Sequence, residues 1–231
     1  MSEIDLVLRF DGFQSSELTS LHFGTNMLFH TDRVTPNSDF SQLIENLGIE
    51  LIRFPGGTIA EQFFDLQNPN NTSTPNLLDI LNGSARIETR SVVPLSEYLN
   101  YMERTDGVPT IVLPTFRYFD QDTRQLSAAG AIQIRDFVIN LINGEFGYFD
   151  QGIFEIGNEW YQTNFNWSAE EFGRFQSEMA TLIVTILNDL GARSNVDILA
   201  QTGQTDEEHE VLASFFNDPF DDNIDGVLTH L

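Results

Sequence analysis

The sequence predicts an α/β fold built on a parallel sheet, and three observations support this fold class. Short apolar runs alternate with helical patterns six times along the 231 residues, which is typical of a parallel sheet with its helices outside. The runs are nearly continuous in apolar residues, as expected for strands covered on both faces. A doubly wound sheet and a barrel both fit this alternation. Because six units occupy about 210 residues and a full (β/α)8 barrel typically needs about 250, an incomplete TIM barrel with about six of eight units is favoured.

Two regions are predicted along the chain. Residues 1–20 form an N-terminal extension, in which residues 4–10 alternate apolar and polar side chains as a half-buried extra strand does. Residues 21–231 form the partial (β/α)8 catalytic barrel. The last predicted strand has no covering helix after it, so we expect the sequence to be a fragment of a longer barrel.

Local signals set the element boundaries in the first half of the chain. Ser38 or Asp39 caps a helix, and Gly48 follows its end. The second strand breaks at Pro55-Gly56-Gly57, and a polar insertion rich in turn residues comes after it. The predicted elements here are strands at 21–29 and 50–54 and a helix at 39–46.

The second half of the chain repeats the alternation with clearer helix signals. Ser168 and Glu171 form a capping box at the start of a long helix. That helix runs to Asp189 and stops before Gly191. The other predicted elements are helices at 95–104, 128–142 and 207–216 and strands at 110–114, 152–157, 196–201 and 224–229.

Composition excludes several classes of partner. The chain carries 35 acidic and 11 basic residues, a net charge of −24, and a field of this sign repels nucleic acid and anionic membrane surfaces. No apolar stretch approaches the length of a membrane span, and the N-terminus lacks the features of a secretory signal. The compartment is left open, with extracellular location by a non-classical route favoured over the cytoplasm. The absence of cysteine excludes disulfides and thiolate metal sites, and no cofactor is expected.

Charged side chains lie where the second and fourth predicted strands end. In a parallel barrel, the C-terminal strand ends meet at one rim, where functional groups gather. Arg53 ends the second strand and shares a face with Leu51 by alternation. A buried guanidinium needs a carboxylate or a ligand. Glu155 on the fourth strand is the expected partner, in a structural ion pair.

The end of the fourth strand carries the strongest chemical signal. Glu159 follows Asn158 at the rim, flanked by Phe154 and Trp160. Desolvation at such a position disfavours the charged carboxylate, as a general acid that works near neutral pH requires. Asn158 can donate and accept hydrogen bonds beside the reacting group. His230 ends the sixth strand and brings an imidazole to the same rim.

The pairing of Arg53-Phe54-Pro55-Gly56-Gly57 with Gly157-Asn158-Glu159 resembles the retaining glycoside hydrolases of clan A. It is most similar to the α-L-arabinofuranosidase, β-xylosidase and β-glucuronidase/heparanase families, in which an Arg-x-Pro-Gly-Gly segment ends the second strand and Gly-Asn-Glu ends the fourth. The resemblance implies that Glu159 is the acid/base, that Asn158 contacts the sugar 2-hydroxyl and that Arg53 lies near the nucleophile. The sixth strand of these families commonly ends in His-x-Tyr, of which His230 matches the histidine.

The resemblance therefore predicts a retaining O-glycosyl hydrolase that acts on polysaccharide or oligosaccharide glycosides, with carbohydrate as its partner. A retaining mechanism needs two carboxylates about 5–5.5 Å apart. The family nucleophile is a glutamate at the end of the seventh strand, so we expect it beyond the C-terminus of this chain. Neither Glu61 nor Glu207 has the strand-end context for that role.

Two other functions are weighed against the glycosidase. The alternative is a carbohydrate-binding barrel without turnover, in which the same cleft holds a sugar. A metal-dependent barrel hydrolase ranks last, because the histidines show no ligand spacing. Those histidines are His22, His30, His209 and His230.

Aromatic residues cluster in the loops predicted after the third and fourth strands. Sugar rings stack on aromatic faces, so we predict that Trp160 binds substrate there, although aromatic packing between long loops explains the same cluster. The cluster comprises Phe116, Tyr118, Phe119, Trp160, Tyr161, Phe165 and Trp167.

Overall fold

Six parallel strands form the central sheet in a computed structural model, which describes residues 24–162, 166–216 and 223–228. In chain order the strands are β1 (Gly24–Asn26), β2 (Leu51–Phe54), β3 (Ser73–Pro75), β4 (Thr89–Ser91), β5 (Val108–Leu113), β6 (Phe119–Asp120), β7 (Gln125–Leu126), β8 (Gly152–Ile156), β9 (Val196–Gln201) and β10 (Gly226–Leu228). The central sheet has the order β1-β2-β5-β8-β9-β10. Within this sheet, neighbouring strands therefore follow one another in chain order, and β3, β4, β6 and β7 form separate pairs.

Helices connect the strands of the sheet. They are α1 (Asp39–Leu47), α2 (Thr58–Phe63), α3 (Leu77–Leu81), α4 (Leu95–Thr105), α5 (Ala128–Ile142), α6 (Ala169–Asp189) and α7 (Asp206–Phe216). Crossovers between parallel strands are right-handed, so a sheet that grows in one direction carries its crossover helices on one face. No helix among the described residues is both long enough and apolar enough to cross a membrane.

The prediction of an incomplete (β/α)8 barrel is wrong, because the described residues form an open, curled sheet. Within these residues β1 pairs only with β2 and β10 pairs only with β9. A barrel requires its first and last strands to meet through hydrogen bonds. Strand and helix alternation is the same in an open sheet and in a closed one, so the sequence pattern could not separate them. The strand order also lacks the reversal of a doubly wound sheet.

The two faces of the sheet differ in burial. On β2, Ile52 and Phe54 are buried, whereas Leu51 and Arg53 are half-buried. In β9 every second side chain is also buried, and the exposure of the intervening side chains falls towards the C-terminal end of the strand. The helices cover the buried face, and the opposite face is the partly open, concave side that carries Arg53 and its neighbours.

Tyr98 of α4 anchors the helical layer to the sheet. Its hydroxyl donates to the carbonyl of Ile52 over 2.6 Å and accepts from the amide of Thr110 over 3.0 Å. The ring stacks on Phe54 with centroids 4.6 Å apart. Burial raises the pKa of this phenol above its usual range, so it stays neutral and keeps both contacts.

Most predicted elements are present, with shifts of one or two residues at their ends. α5 and β9 have the predicted bounds, and α6 begins after Ser168 with the predicted capping box. The small antiparallel pair β3–β4 and the β6–β7 hairpin were not predicted. The predicted strand at 4–10 lies outside the described residues, as do residues 21–23 and 229 of two other predicted strands. The predictions of strand at 27–29 and 224–225 are wrong, because β1 ends at Asn26 and β10 begins at Gly226.

Candidate active site

The turn at Pro55–Gly57 connects β2 to α2 and fixes the surroundings of Arg53. A Cβ atom on Gly56 would lie 1.8 Å from Asn26 Oδ1, which itself accepts a hydrogen bond of 3.1 Å from Arg53 Nη1. Glycine is required there because Asn26 cannot move away without losing this contact. Gly57 has a φ of 80°, in the left-handed region that glycine adopts at no steric cost.

Arg53 joins the ends of β2 and β8 through a hydrogen-bonded ion pair. Its Nε and Nη2 atoms donate to Glu155 Oε2 and Oε1 over 2.5 and 2.6 Å. The same Nη2 atom donates to Asn158 Oδ1 over 2.9 Å. The side chains of Arg53 and Glu155 are 13% and 1% exposed, so this pair is almost removed from water. The predicted ion pair between Arg53 and Glu155 is confirmed.

Gln201, at the end of β9, completes this network and was missed in the sequence. Its Nε2 atom donates to Glu155 Oε1 over 2.9 Å and to the carbonyl of Gly157 over 2.8 Å. Gln176 of α6 holds the backbone of Gln201 through two hydrogen bonds of 2.7 and 3.0 Å. Alternation along β9 places Gln201 on the same face as Leu199. From this alternation, the direction of the Gln201 side chain could have been predicted.

The turn after β8 has an unusual backbone. Gly157 has a φ of 83°, and Glu159 has a φ of 47° although it carries a side chain. A left-handed non-glycine residue costs on the order of 1–3 kcal/mol and persists only where its neighbours hold it. Glu159 is half-buried. The pKa of the nearby Tyr161 is raised, first by burial and then by the negative charge of Glu159.

Hydrogen bonds hold the backbone and the side-chain oxygen of Asn158, and its side-chain NH₂ group remains to be considered. Its amide N–H donates to Glu61 Oε1 over 2.7 Å, and its Oδ1 accepts from Arg53. The residue is 3% exposed, and its Nδ2 atom has no hydrogen-bond partner among the residues that the structure describes. An unsatisfied buried donor costs about 1–3 kcal/mol. This nitrogen is therefore a group that a bound hydroxyl could satisfy.

Glu61 is a second carboxylate at these strand ends. It lies on α2, is 2% exposed and accepts at Oε2 from the amides of Thr115 and Phe116 over 2.7 and 2.9 Å. The Thr115 hydroxyl donates to the same oxygen over 3.2 Å. Burial raises its pKa to about 7, against the opposing effect of these hydrogen bonds and that from Asn158. In the sequence, only its position one helical turn after Gly56-Gly57 pointed to this site.

The aromatic residues near the turn are mainly buried. The Trp160 ring is 2% exposed, stacks on Phe172 with centroids 5.1 Å apart and donates through Nε1 to the carbonyl of Thr202. In this arrangement Trp160 contributes packing, and its role in binding a sugar stays a prediction. Phe116 and Tyr161 are half-buried.

The structure thus brings Arg53, Glu155 and Asn158 into direct contact, with Glu159 next in the chain. His230, predicted at the same edge, lies outside the described residues, as does Phe165. No protein-family model matches this chain, and no curated protein matches it at a significant level.

Proposed function

We propose that this protein binds a glycoside at the C-terminal ends of β2 and β8 and that Glu159 is the general acid/base of an O-glycosyl hydrolase. The hydrogen bond of 2.9 Å between Arg53 Nη2 and Asn158 Oδ1 carries the proposal. It joins two segments that are 105 residues apart in the chain, and these are the two segments that resemble the clan A glycosidases.

The chemistry of glycoside cleavage agrees with the surroundings of Glu159. The leaving oxygen needs a proton, and the attacking water of the second step must lose one, so a single carboxyl group serves as acid and then as base. That group must be reached by substrate and still be partly desolvated. Glu159 is half-buried and is held in a left-handed conformation beside a fully buried asparagine.

Asn158 and Arg53 supply the binding groups of the proposal. The free Nδ2 donor of Asn158 suits a sugar hydroxyl, in agreement with the 2-hydroxyl contact that the resemblance implies. The positive charge of Arg53 is neutralised by Glu155, so the site favours a neutral sugar ring over an anion. Arg53 then orients Asn158 rather than binding substrate through its charge.

Hydrolysis of 4-nitrophenyl glycosides tests this proposal. The resemblance implies a nucleophile outside this chain, so the assay uses the chain together with the segment that carries it. We expect release of nitrophenol from the neutral α-L-arabinofuranoside or β-D-xyloside in preference to the anionic β-D-glucuronide. Glu159→Gln should lower kcat/KM about 10²–10⁴-fold for an oligosaccharide, whose leaving oxygen must be protonated; this is the usual contribution of general acid–base catalysis. The effect on kcat/KM for the nitrophenyl glycoside should be smaller, because nitrophenolate leaves without a proton. Glu145→Gln, at an exposed glutamate outside the site, is the matched control and should leave the rate unchanged. Equal kcat/KM values of the wild type and Glu159→Gln for the oligosaccharide would exclude Glu159 as the acid.

A sugar-binding protein without turnover is the second candidate, and one observation favours it. Among the described residues, the carboxylates hydrogen-bonded to Arg53 or Asn158 are those of Glu155 and Glu61, which are 1% and 2% exposed. Each of these carboxylates accepts hydrogen bonds at both of its oxygens, so neither is available as the nucleophile of a retaining pair.

Calorimetry separates the two candidates. Titration with xylo- and arabino-oligosaccharides measures binding, and the nitrophenyl assay on the same preparation measures turnover. Binding that Asn158→Ala weakens, without any release of nitrophenol, would favour the second candidate. Release that depends on Glu159 would favour the first.

A further inference from the structure

The carboxylate of Glu61 has no role in the proposed proton transfer, yet it is among the most completely hydrogen-bonded side chains at this edge of the sheet. It accepts from three backbone amides and one hydroxyl, over 2.7–3.2 Å. Within the described part of the chain, no arginine or histidine forms an ion pair with it. A buried carboxylate is expensive to desolvate, so its retention at 2% exposure calls for a reason.

The two oxygens of Glu61 hold different segments. Oε2 accepts from the amides of Thr115 and Phe116, which follow β5. Oε1 accepts from the amide of Asn158, which follows β8. Because both oxygens belong to one planar group on α2, the two segments are fixed relative to each other.

Asn158 is therefore clamped at both ends, by Glu61 at its backbone and by Arg53 at its side chain. The next residue, Glu159, has the left-handed φ of 47°. Such a conformation relaxes unless the chain on either side is held. The Glu61 contact holds the backbone of the residue that immediately precedes Glu159.

We propose that Glu61 is a positioning residue that locks the Asn158–Glu159 turn to the end of β5 and so sets the direction of the Glu159 carboxyl group. The catalytic part of this statement rests on the proposed function. The clamp itself does not, and it can be tested in the absence of any activity.

Glu61→Gln is the decisive substitution, because it keeps the size of the side chain and replaces one acceptor oxygen with an NH₂ donor. If the amide oxygen stays with Thr115 and Phe116, the NH₂ group faces the N–H of Asn158, and two donors cannot bond to each other. We expect the hydrogen exchange of the Asn158 amide to accelerate at least about tenfold, measured at about pH 8 so that Glu61 is charged in the wild type.

Glu178→Gln is the matched control. Glu178 also accepts a hydrogen bond from a backbone amide, that of Leu126, over 3.1 Å, but it does not contact the turn. The same change of chemistry there should leave exchange at Asn158 unaltered. Unchanged exchange at Asn158 in folded Glu61→Gln would overturn the proposal.

A measurement on the wild type keeps the proposal testable if Glu61→Gln does not fold. One carboxylate holds all three amides, so those of Thr115, Phe116 and Asn158 should open together, with the same free energy of opening. Distinct opening free energies for the segments after β5 and β8 would show that Glu61 does not couple them, and the proposal would fail.

Kinetics distinguish positioning from simple stabilisation. If Glu159 is the acid/base, Glu61→Gln should lower kcat about 100-fold, the cost of a misplacement near 1 Å, and should change KM little. Glu178→Gln should leave both constants unchanged. Full kcat in folded Glu61→Gln would refute the catalytic part. A wild type without any activity would instead count against the proposed function, and hydrogen exchange would still decide on the clamp.

Discussion

The charge of Arg53 organises its neighbours at the scale of single residues. The guanidinium presents two parallel donors to Glu155 and a further contact to Asn158. A planar fork matches a carboxylate in two places at once, and the ammonium group of a lysine cannot reproduce this geometry. The pair is nearly buried, so each partner depends on the other for its charge compensation.

Glu155→Gln is expected to destabilise the protein strongly. Glutamine keeps the size of the side chain and removes the negative charge, which leaves a guanidinium that is 13% exposed without its counter-ion. Breaking a buried ion pair at one partner costs roughly 3–5 kcal/mol. Urea unfolding of the two proteins measures this difference in the free energy of unfolding.

The exposed pair Arg135–Asp136 provides the control for that experiment. Its side chains are 50% and 55% exposed, and surface pairs contribute about 0–1 kcal/mol. Asp136→Asn should therefore change the free energy of unfolding by less than about 1 kcal/mol. A loss in Glu155→Gln as small as that in Asp136→Asn would contradict the interpretation of Arg53 and Glu155 as a buried pair.

Glu61 should make stability depend on pH near neutrality. Its pKa in the folded chain is raised to about 7 by burial, whereas an ordinary glutamate titrates near 4.5. Between these values the folded protein keeps the proton and the unfolded chain has lost it, so the free energy of unfolding falls as the pH rises. The loss attributable to Glu61 approaches about 3 kcal/mol once the pH exceeds 7.

Chemical unfolding at several pH values tests this dependence. Subtracting the profile of Glu61→Gln, which cannot titrate, from that of the wild type isolates the contribution of Glu61. The difference should be constant below the ordinary glutamate range and should change through the interval up to about 7. Parallel profiles across this interval would show that the pKa of Glu61 is not raised.

At the scale of elements, the carboxylate of Glu171 attaches the β6–β7 hairpin to the start of α6, and that of Glu178 contacts Leu126 further along the helix. Glu171 accepts from Arg124 Nε and Nη2 over 2.8 and 2.7 Å. It also accepts from the amide of Ser168 in the capping box. The hydrogen bonds from Arg124 are the largest cause that lowers the pKa of Glu171, to about 2.

Acid should loosen this attachment of the hairpin to α6. The pKa of Glu171 is depressed, so its contribution to stability is complete above the ordinary value of 4.5 and is lost as the pH falls towards 2. Glu171→Gln should cost about 1 kcal/mol at neutral pH, since it removes a capping contact and a partly exposed ion pair. Hydrogen exchange of the hairpin amides, followed from pH 7 downwards, reports the loss directly.

Glu170→Gln serves as the comparison for Glu171→Gln. Glu170 is the preceding residue, its side chain is 69% exposed and its partner is Arg174 four residues on. Removing that charge should leave the hairpin amides protected. Equal losses of protection in the two variants would mean that general charge, rather than the Arg124 contact, holds the hairpin.

Elements with their own local signals could be predicted, and those fixed by distant contacts could not. α5 and α6 begin at Ser127 and Ser168, whose hydroxyls accept from backbone amides three residues on. By contrast, the short strands β3, β4, β6 and β7 contain two or three residues each, too few for any periodic pattern. Their pairing depends on tertiary structure.

The contrast between local signals and distant contacts also explains which residues of the site could be predicted. The ion pair of Arg53 with Glu155 was predictable because alternation placed both charges on one face at neighbouring strand ends. The role of Glu61 was not, because its partners lie 54 and 97 residues further along the chain. Whether the sheet closes was equally hidden, since closure depends on how strands pair at the edges.

At the scale of the whole molecule, charge is the dominant feature. The chain has 35 acidic and 11 basic residues, and all of the basic ones are arginine. A net charge of −24 opposes the compact state through self-repulsion, which is stronger in the folded protein than in the expanded chain. Salt shortens the range of this repulsion, from about 30 Å at 0.01 M to about 3 Å at 1 M.

We therefore expect the free energy of unfolding to rise with sodium chloride from about 0.01 to about 1 M, most steeply at the low end, where the screening length changes most. Urea unfolding across this range measures the effect. Neutralising the exposed acids Glu45, Glu103 and Glu145 with glutamine should lower the slope, because each substitution removes part of the repulsion. Sucrose strengthens burial without screening charge, so it should stabilise the wild type and the triple variant equally. A protein that loses stability as salt is added would show that attraction between specific ion pairs outweighs the net repulsion.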